Sequence, residues 1–207
     1  MAIRYRIISV RNSPKKTERI EKNRKMPEKI TCYGIIELTD IIQNYSSISH
    51  FPKILIAGPC GVGKTTVSRI LAEKLNFSFI DHDEMKEKTS QSPFPCSVSK
   101  LDLDVCLSKS LELTGNPDAF IFAVGGDSVF HVNIDNKDRL MQLLFVKEKF
   151  CLTILLMVAE RSVLESRFHK VSGRSGFSAV WDNWQNIERQ YWEKSADIII
   201  DTSNLVI

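Results

Sequence analysis

Gly58-Pro59-Cys60-Gly61-Val62-Gly63-Lys64-Thr65 has the spacing G-x-x-x-x-G-K-[ST], in which the glycines, the lysine and the hydroxyl each meet a need of a bound polyphosphate. Glycine tolerates the backbone angles that turn successive N–H groups inward, and a following helix N-terminus adds partial positive charge at the same point. Lys64 is expected to reach the β- and γ-phosphates of ATP, and the Thr65 hydroxyl to sit on Mg²⁺. The nucleotide-binding set is therefore Gly58, Gly61, Val62, Gly63, Lys64, Thr65 and Thr66.

Three other places carry groups suited to the same chemistry. In Asp81-His82-Asp83 two carboxylates stand one residue apart; one can hold a Mg²⁺-bound water while the other meets an acceptor hydroxyl, and helix capping is the competing use. His82, between them, is expected to face solvent and to stand outside the chemistry. Val124-Gly125-Gly126-Asp127 offers a glycine pair that lets a ligand approach the backbone, or simply makes a tight turn. Arg174, flanked by Gly173 and Gly176, has the setting of an arginine that closes over ATP and stabilises charge on a transferring phosphoryl group, or of a solvated connector residue.

These groups need elements to position them. Residues 53–57 form a short apolar run of buried-strand length, and Val67, Ile70, Leu71 and Leu75 recur at helical spacing beyond the glycine loop, so the order is strand, loop, helix. Further strands are predicted at 77–80, 119–124, 150–158 and 196–200, alternating with helices at 99–114, 135–148 and 160–170. This alternation predicts a parallel α/β sheet whose functional groups gather beyond the carboxyl ends of the strands. Upstream, 3–7 reads as a short strand, 12–27 as a charged linker and 30–45 as a helix. Trp181, Trp184, Ile187 and Tyr191 lie on one helical face and read as core.

The composition sets outer bounds. At 207 residues the chain is long enough for one substantial core, and its longest apolar stretches are strand length, far short of a membrane span. No secretory leader pattern opens it, and the five cysteines (Cys32, Cys60, Cys96, Cys106 and Cys151) are scattered without a C-x-x-C pair, so reduced thiols in a cytoplasm are expected. The net charge of +3 hides an asymmetry, since residues 1–29 hold ten Lys or Arg against three Glu. We expect residues 1–50 to be a basic extension, partly disordered or packed on the core, and 51–207 to be the catalytic domain. No aromatic interleaving accompanies the basic run, so nucleic acid is not the expected partner; a small-molecule acceptor and a monomer are.

Taken together, the motifs from Lys53 to about Ser203 resemble those of shikimate kinase and its relatives among small P-loop kinases. The matching residues are the glycine loop through Ala72, Phe79-Ile80-Asp81-His82-Asp83, Val124-Gly125-Gly126, Arg167 with Arg174, and Glu188-Arg189-Gln190-Tyr191 leading to Ala196-Asp197-Ile198-Ile199-Ile200-Asp201-Thr202. The resemblance implies a P-loop kinase fold with a five-stranded parallel sheet in order 2-3-1-4-5, flanked by helices and carrying a lid. It implies Asp81 at Mg²⁺, Asp83 orienting or deprotonating the acceptor hydroxyl, Arg167 on the adenine, Arg174 as the lid arginine, and an acceptor bordered by Gly125, Gly126, Asp127 and Arg189. Departures fall on the acceptor side: no arginine occurs between Arg69 and Arg139, Asp127 replaces a third glycine, and the R-P-x-x-Y motif is reduced to Arg189-Gln190-Tyr191. The expectation is an ATP- and Mg²⁺-dependent phosphotransferase, shikimate kinase-like with an altered acceptor site. A genuine shikimate kinase and a nucleotide-binding pseudokinase that regulates a partner are the alternatives.

Overall fold

The computed structural model describes residues 28–31, 34–46, 53–85, 103–125, 136–172 and 176–205. The strand expected at 3–7, the linker expected at 12–27, Arg174, expected on a lid, and Gly126 and Asp127, expected at the acceptor, lie outside the described residues.

Apolar runs bounded by turns become the strands. These are β1 (Glu28–Thr31), β2 (Lys53–Ala57), β3 (Ser78–Asp81), β4 (Phe120–Ala123), β5 (Thr153–Val158) and β6 (Ile198–Asp201). The helices between them are α1 (Ile35–Ser46), α2 (Lys64–Leu75), α3 (Leu103–Leu113), α4 (Asn136–Phe150), α5 (Arg161–Ser172), α6 (Phe177–Asn183) and α7 (Arg189–Ser195), with a π-helical turn at Trp184–Glu188 joining the last two. None of these helices is long and apolar enough to cross a membrane.

All strands pair in parallel, in the order β1-β6-β5-β2-β4-β3. This corrects the expected number of strands: the described residues form six and not five, the added one being Glu28–Thr31, paired with Ile198–Asp201 at the edge, while the five expected strands, counted from Lys53–Ala57, keep the order 2-3-1-4-5. The stretch expected to be a helix over 30–45 accordingly splits into the end of β1 and the helix Ile35–Ser46. A polar tetrad such as Glu-Lys-Ile-Thr carries little periodicity of its own, and it is strand because an open edge of β6 pairs with its backbone.

Because successive strand residues point to opposite faces, the sheet feeds two cores. Leu55 and Ala57 of β2, Phe120 and Phe122 of β4, and Ile154 and Leu156 of β5 join Leu107, Trp184, Tyr191 and Trp192 on one side. Ile54 and Ile56 join Leu38, Val67, Leu71 and Phe168 on the other. The buried residues of α1, α2 and α5 thus meet one face and those of α3, α4 and α7 the other. This sandwich leaves the carboxyl ends of β2, β3 and β4 side by side, where the glycine loop, Asp81 and Gly125 emerge.

Candidate active site

The glycine loop connects the end of β2 to the first turn of α2. Gly58, Gly61 and Gly63 have φ of +148°, +81° and +93°. The need is sharpest at Gly58, where an added Cβ would lie 2.3 Å from the Met157 carbonyl oxygen. Val62 buries its side chain in the core and donates its N–H to the Pro59 carbonyl at 3.3 Å, whereas Thr65 and Thr66 are exposed on the first turn of the helix.

Lys64 Nζ bridges the loop, donating to the carbonyls of Gly58 at 2.8 Å and Pro59 at 3.0 Å. Burial pushes its pKa below the usual value for lysine, while Cys60, Asp83, Glu188 and Asp81 act in the opposite direction. One ammonium at the mouth of the loop is therefore within electrostatic reach of three carboxylates. Asp81 and Asp83 come from the end of β3 and the helical turn after it; Glu188 comes from the π-helical turn.

The two aspartates differ in their settings. Asp81 is 6% exposed, and its Oδ1 accepts the backbone N–H of Asp83 at 2.8 Å and of Glu84 at 3.4 Å, capping the helical turn that opens at His82. Capping engages Oδ1, and Oδ2 is the second oxygen of the same carboxylate. Asp83 is exposed and stands toward solvent at the site. Among the described residues no group of three or more His, Cys, Asp or Glu is placed to hold a metal ion.

His82 corrects an expectation. It is 2% exposed and not solvent-facing. Its Nδ1 accepts the N–H of Gly125 at 3.3 Å, which places the ring proton on Nε2, 3.2 Å from Cys106 Sγ on α3. The Gly125 N–H is thereby engaged by the protein.

Arg189 is not brought into the site. Its guanidinium meets Glu193 at 2.7 Å and Gln185 at 3.0 Å along the exposed surface of its helix. The residue before it takes the inward place. The π-helical turn, in which the Arg189 N–H bonds to the Trp184 carbonyl, is wider than an α-turn, and both Trp184 and Glu188 are buried in it. Trp184, Glu188 and Tyr191 are all buried, while Ile187, placed on that face by straight helical spacing, is only partly so. The sequence reading gave Glu188 no role of its own and set His82 outside the chemistry; the signal for Glu188 is its spacing of four from Trp184 and three from Tyr191.

Arg167, on α5, donates through Nη2 to the carbonyls of Thr202 at 3.0 Å and Leu205 at 3.4 Å, tying its helix to the loop after β6. Between the loop shoulder at Pro59 and Cys60 and the segment carrying Asn183, Trp184 and Glu188 lies a cavity of about 200 Å³.

Residues 54–171 match the family model of an AAA domain. A shikimate kinase from Alkaliphilus oremlandii is 27% identical over 156 residues, covering 73% of this chain and 89% of that protein. The pentafunctional AROM polypeptide of Schizosaccharomyces pombe is 31% identical over 107 residues, covering 49% of this chain but only 6% of that polypeptide. Among solved structures, shikimate kinase from Acinetobacter baumannii in complex with shikimate superposes with a TM-score of 0.52 at 22% identity, covering 76% of this chain and 87% of that one, a likeness of fold.

Proposed function

This chain belongs to the AAA-domain family, and from that premise we propose that it is an ATP- and Mg²⁺-dependent phosphotransferase acting on a hydroxyl of a small metabolite, with an acceptor site that differs from that of shikimate kinases. One observation carries the reading: Lys64 lies across a glycine cradle, and an exposed carboxylate, Asp83, stands in the turn after β3, at the same carboxyl edge of the sheet and two strands away. A loop alone would serve any nucleotide-binding protein; a poised carboxylate beside it suits transfer.

In this reading the backbone of residues 58–66 binds the phosphates, and Lys64 exchanges its two carbonyl partners for phosphate oxygens. Thr65 and Asp81 would hold Mg²⁺, which supplies charge neutralisation for the departing diphosphate. Asp83 orients the acceptor hydroxyl. As the hydroxyl oxygen bonds to the γ-phosphorus, the bond from that phosphorus to its bridging oxygen breaks, ADP leaves with the electron pair, and the hydroxyl proton passes to the Asp83 carboxylate. Arg167 would border the adenine with the loop after β6, and Arg174 would supply positive charge over the phosphates. Similarity to shikimate kinases supports the fold and the nucleotide side; the outward Arg189 and inward Glu188 support a changed acceptor side.

The test is phosphoryl transfer from labelled ATP to a panel of hydroxylated metabolites, with Lys64→Ala as control. Transfer falls at least about a thousandfold in the variant, the scale of losing a group that stabilises phosphoryl charge. Unchanged turnover in Lys64→Ala would sink the assignment.

A further inference from the structure

We infer that Arg167 is a positioning residue for the base of the bound nucleotide: it acts through the backbone of the loop after β6, whose shape it fixes, and not by laying its flat face on the base. The inference rests on the phosphotransferase reading and adds to it how the nucleoside end of the donor is held.

The sheet order sets where that end lies. In β6-β5-β2-β4-β3, Asp83 follows a strand on one side of the glycine loop, and the loop after β6 emerges on the other. Attacking and leaving oxygens stand roughly in line at the transferred phosphorus, so an acceptor on the Asp83 side sends the nucleoside toward β5 and β6. α5 bounds that side. A Cβ added to Gly61 would lie 3.3 Å from the Leu164 carbonyl oxygen and 3.6 Å from the Phe168 nitrogen, and Arg167 belongs to the same turn of the helix.

Two ties run from this helix to the loop after β6. At one, Arg167 Nη2 donates to the carbonyls of Thr202 at 3.0 Å and Leu205 at 3.4 Å. The Thr202 carbonyl also accepts the Leu205 N–H at 3.1 Å, so one guanidinium nitrogen holds both ends of a closed turn. At the other, the Ser203 hydroxyl accepts the Glu160 N–H at 2.9 Å and donates to Asp201 Oδ1 at 2.7 Å. Thr202 is itself anchored, its N–H and its hydroxyl donating to the Val158 carbonyl at 2.7 and 3.1 Å. The loop is thus shaped without a nucleotide, and a base that packs on it avoids the entropic cost of ordering it.

Both of these Arg167 bonds come from one nitrogen, while Nη1 is buried without a hydrogen-bond partner among the described residues. A donor at the place of Nη2 is therefore what the loop needs from this side chain. Lysine supplies a donor without a planar face, and methionine supplies neither, so the two substitutions separate bracing from stacking.

The experiment uses the full chain with Mg²⁺ and titrates, by calorimetry, a non-hydrolysable ATP analogue and inorganic tripolyphosphate, which has no base. Arg167→Met should weaken the analogue at least about tenfold and tripolyphosphate less than about twofold, and Arg167→Lys should return the analogue to within about threefold of wild type. Hydrogen exchange at the Leu205 N–H, followed without nucleotide, should quicken in Arg167→Met and stay near wild type in Arg167→Lys. Binding by Arg167→Lys as weak as by Arg167→Met, with Leu205 exchange unchanged in both, assigns the residue to stacking and overturns the inference. Equal losses for the analogue and tripolyphosphate overturn it too, as does analogue binding by Arg167→Met at wild-type strength. Should Arg167→Met not fold, Arg167→Lys against wild type decides: a loss above about tenfold for the analogue alone means that the planar face is what matters. Transfer from ATP to hydroxylated acceptors keeps the two readings apart. The expected binding pattern without transfer removes the phosphotransferase assignment alone, transfer with a stacking pattern removes only this inference, and no binding of the analogue by wild type removes both.

Discussion

At the scale of single residues, the site is organised by side chains that never need to touch a ligand. His82 joins three elements: it follows β3, accepts from the backbone beyond β4 and faces Cys106 on α3. Its ring therefore sets where Asp83 stands relative to the glycine turn, which makes it a positioning residue. Asparagine places an acceptor oxygen near the site of Nδ1, and glutamine places a polar group near Nε2, so the two contacts can be separated. His82→Ala should cost about 1–3 kcal/mol, because a buried N–H loses its acceptor. The acceptor kcat/KM should fall with it, while KM for ATP moves less than about twofold, since the glycine loop is untouched. Urea denaturation and steady-state kinetics should show Asn rescuing both quantities better than Gln. Better rescue by Gln would assign the role to the Cys106 contact.

At the scale of elements, the β2–α2 connection carries the greatest local constraint. Gly58 combines a φ of +148° with a backbone neighbour, so any Cβ collides with the Met157 carbonyl at the end of β5. At Gly61 the nearest neighbour of an added Cβ, the Leu164 carbonyl oxygen, is 3.3 Å away and φ is +81°, a milder conflict. Gly58→Ala should therefore destabilise the protein by about 2–3 kcal/mol, and Gly61→Ala by about half as much. Thermal melts give the order. Titration with a fluorescent ATP analogue should weaken in the same sequence, because the strained backbone is also the phosphate cradle. Equal costs at the two positions would mean that contact with β5 does not set the loop. The π-helical turn at Trp184–Glu188 is the second constrained element, and it turns a carboxylate inward where straight spacing points to an isoleucine.

At the scale of the whole molecule, the segment before the glycine loop belongs in part to the fold. β1 pairs along β6, and α1 buries Leu38 and Ile42 in the same cluster as Ile54, Leu71 and Ile198. Removing residues 1–27 ends at the boundary of β1 and should shift Tm by less than about 2 °C, leaving ATP affinity nearly unchanged. Removing residues 1–46 uncovers the edge of β6 and deletes two core side chains, each stabilising by about 1.5–3 kcal/mol. Tm should then fall by more than about 5 °C, with aggregation on warming. Equal effects of the two truncations, read by calorimetry and light scattering, would show that the role assigned to β1 and α1 is mistaken.

The phosphate loop, the alternation of strands and helices and the acidic pair after β3 were legible in the sequence because each is recorded locally. Spacing and glycine content define the loop, and runs such as Lys53–Ala57 and Thr153–Val158 are apolar because both their faces are buried. Glu28–Thr31 was not legible as a strand, since an edge strand of mixed polarity is made by the backbone of β6 and not by its own pattern. The directions of Glu188 and Arg189 were not legible either: they depend on the phase of a helix, which a single π-helical turn resets without changing residue types. His82 belongs with them, because its inward rotamer rests on partners 24 and 43 residues away. Local chemistry determined what this chain holds at the glycine loop. Long-range pairing and helix phase decided which side chains surround it, because those depend on contacts between residues far apart in the chain.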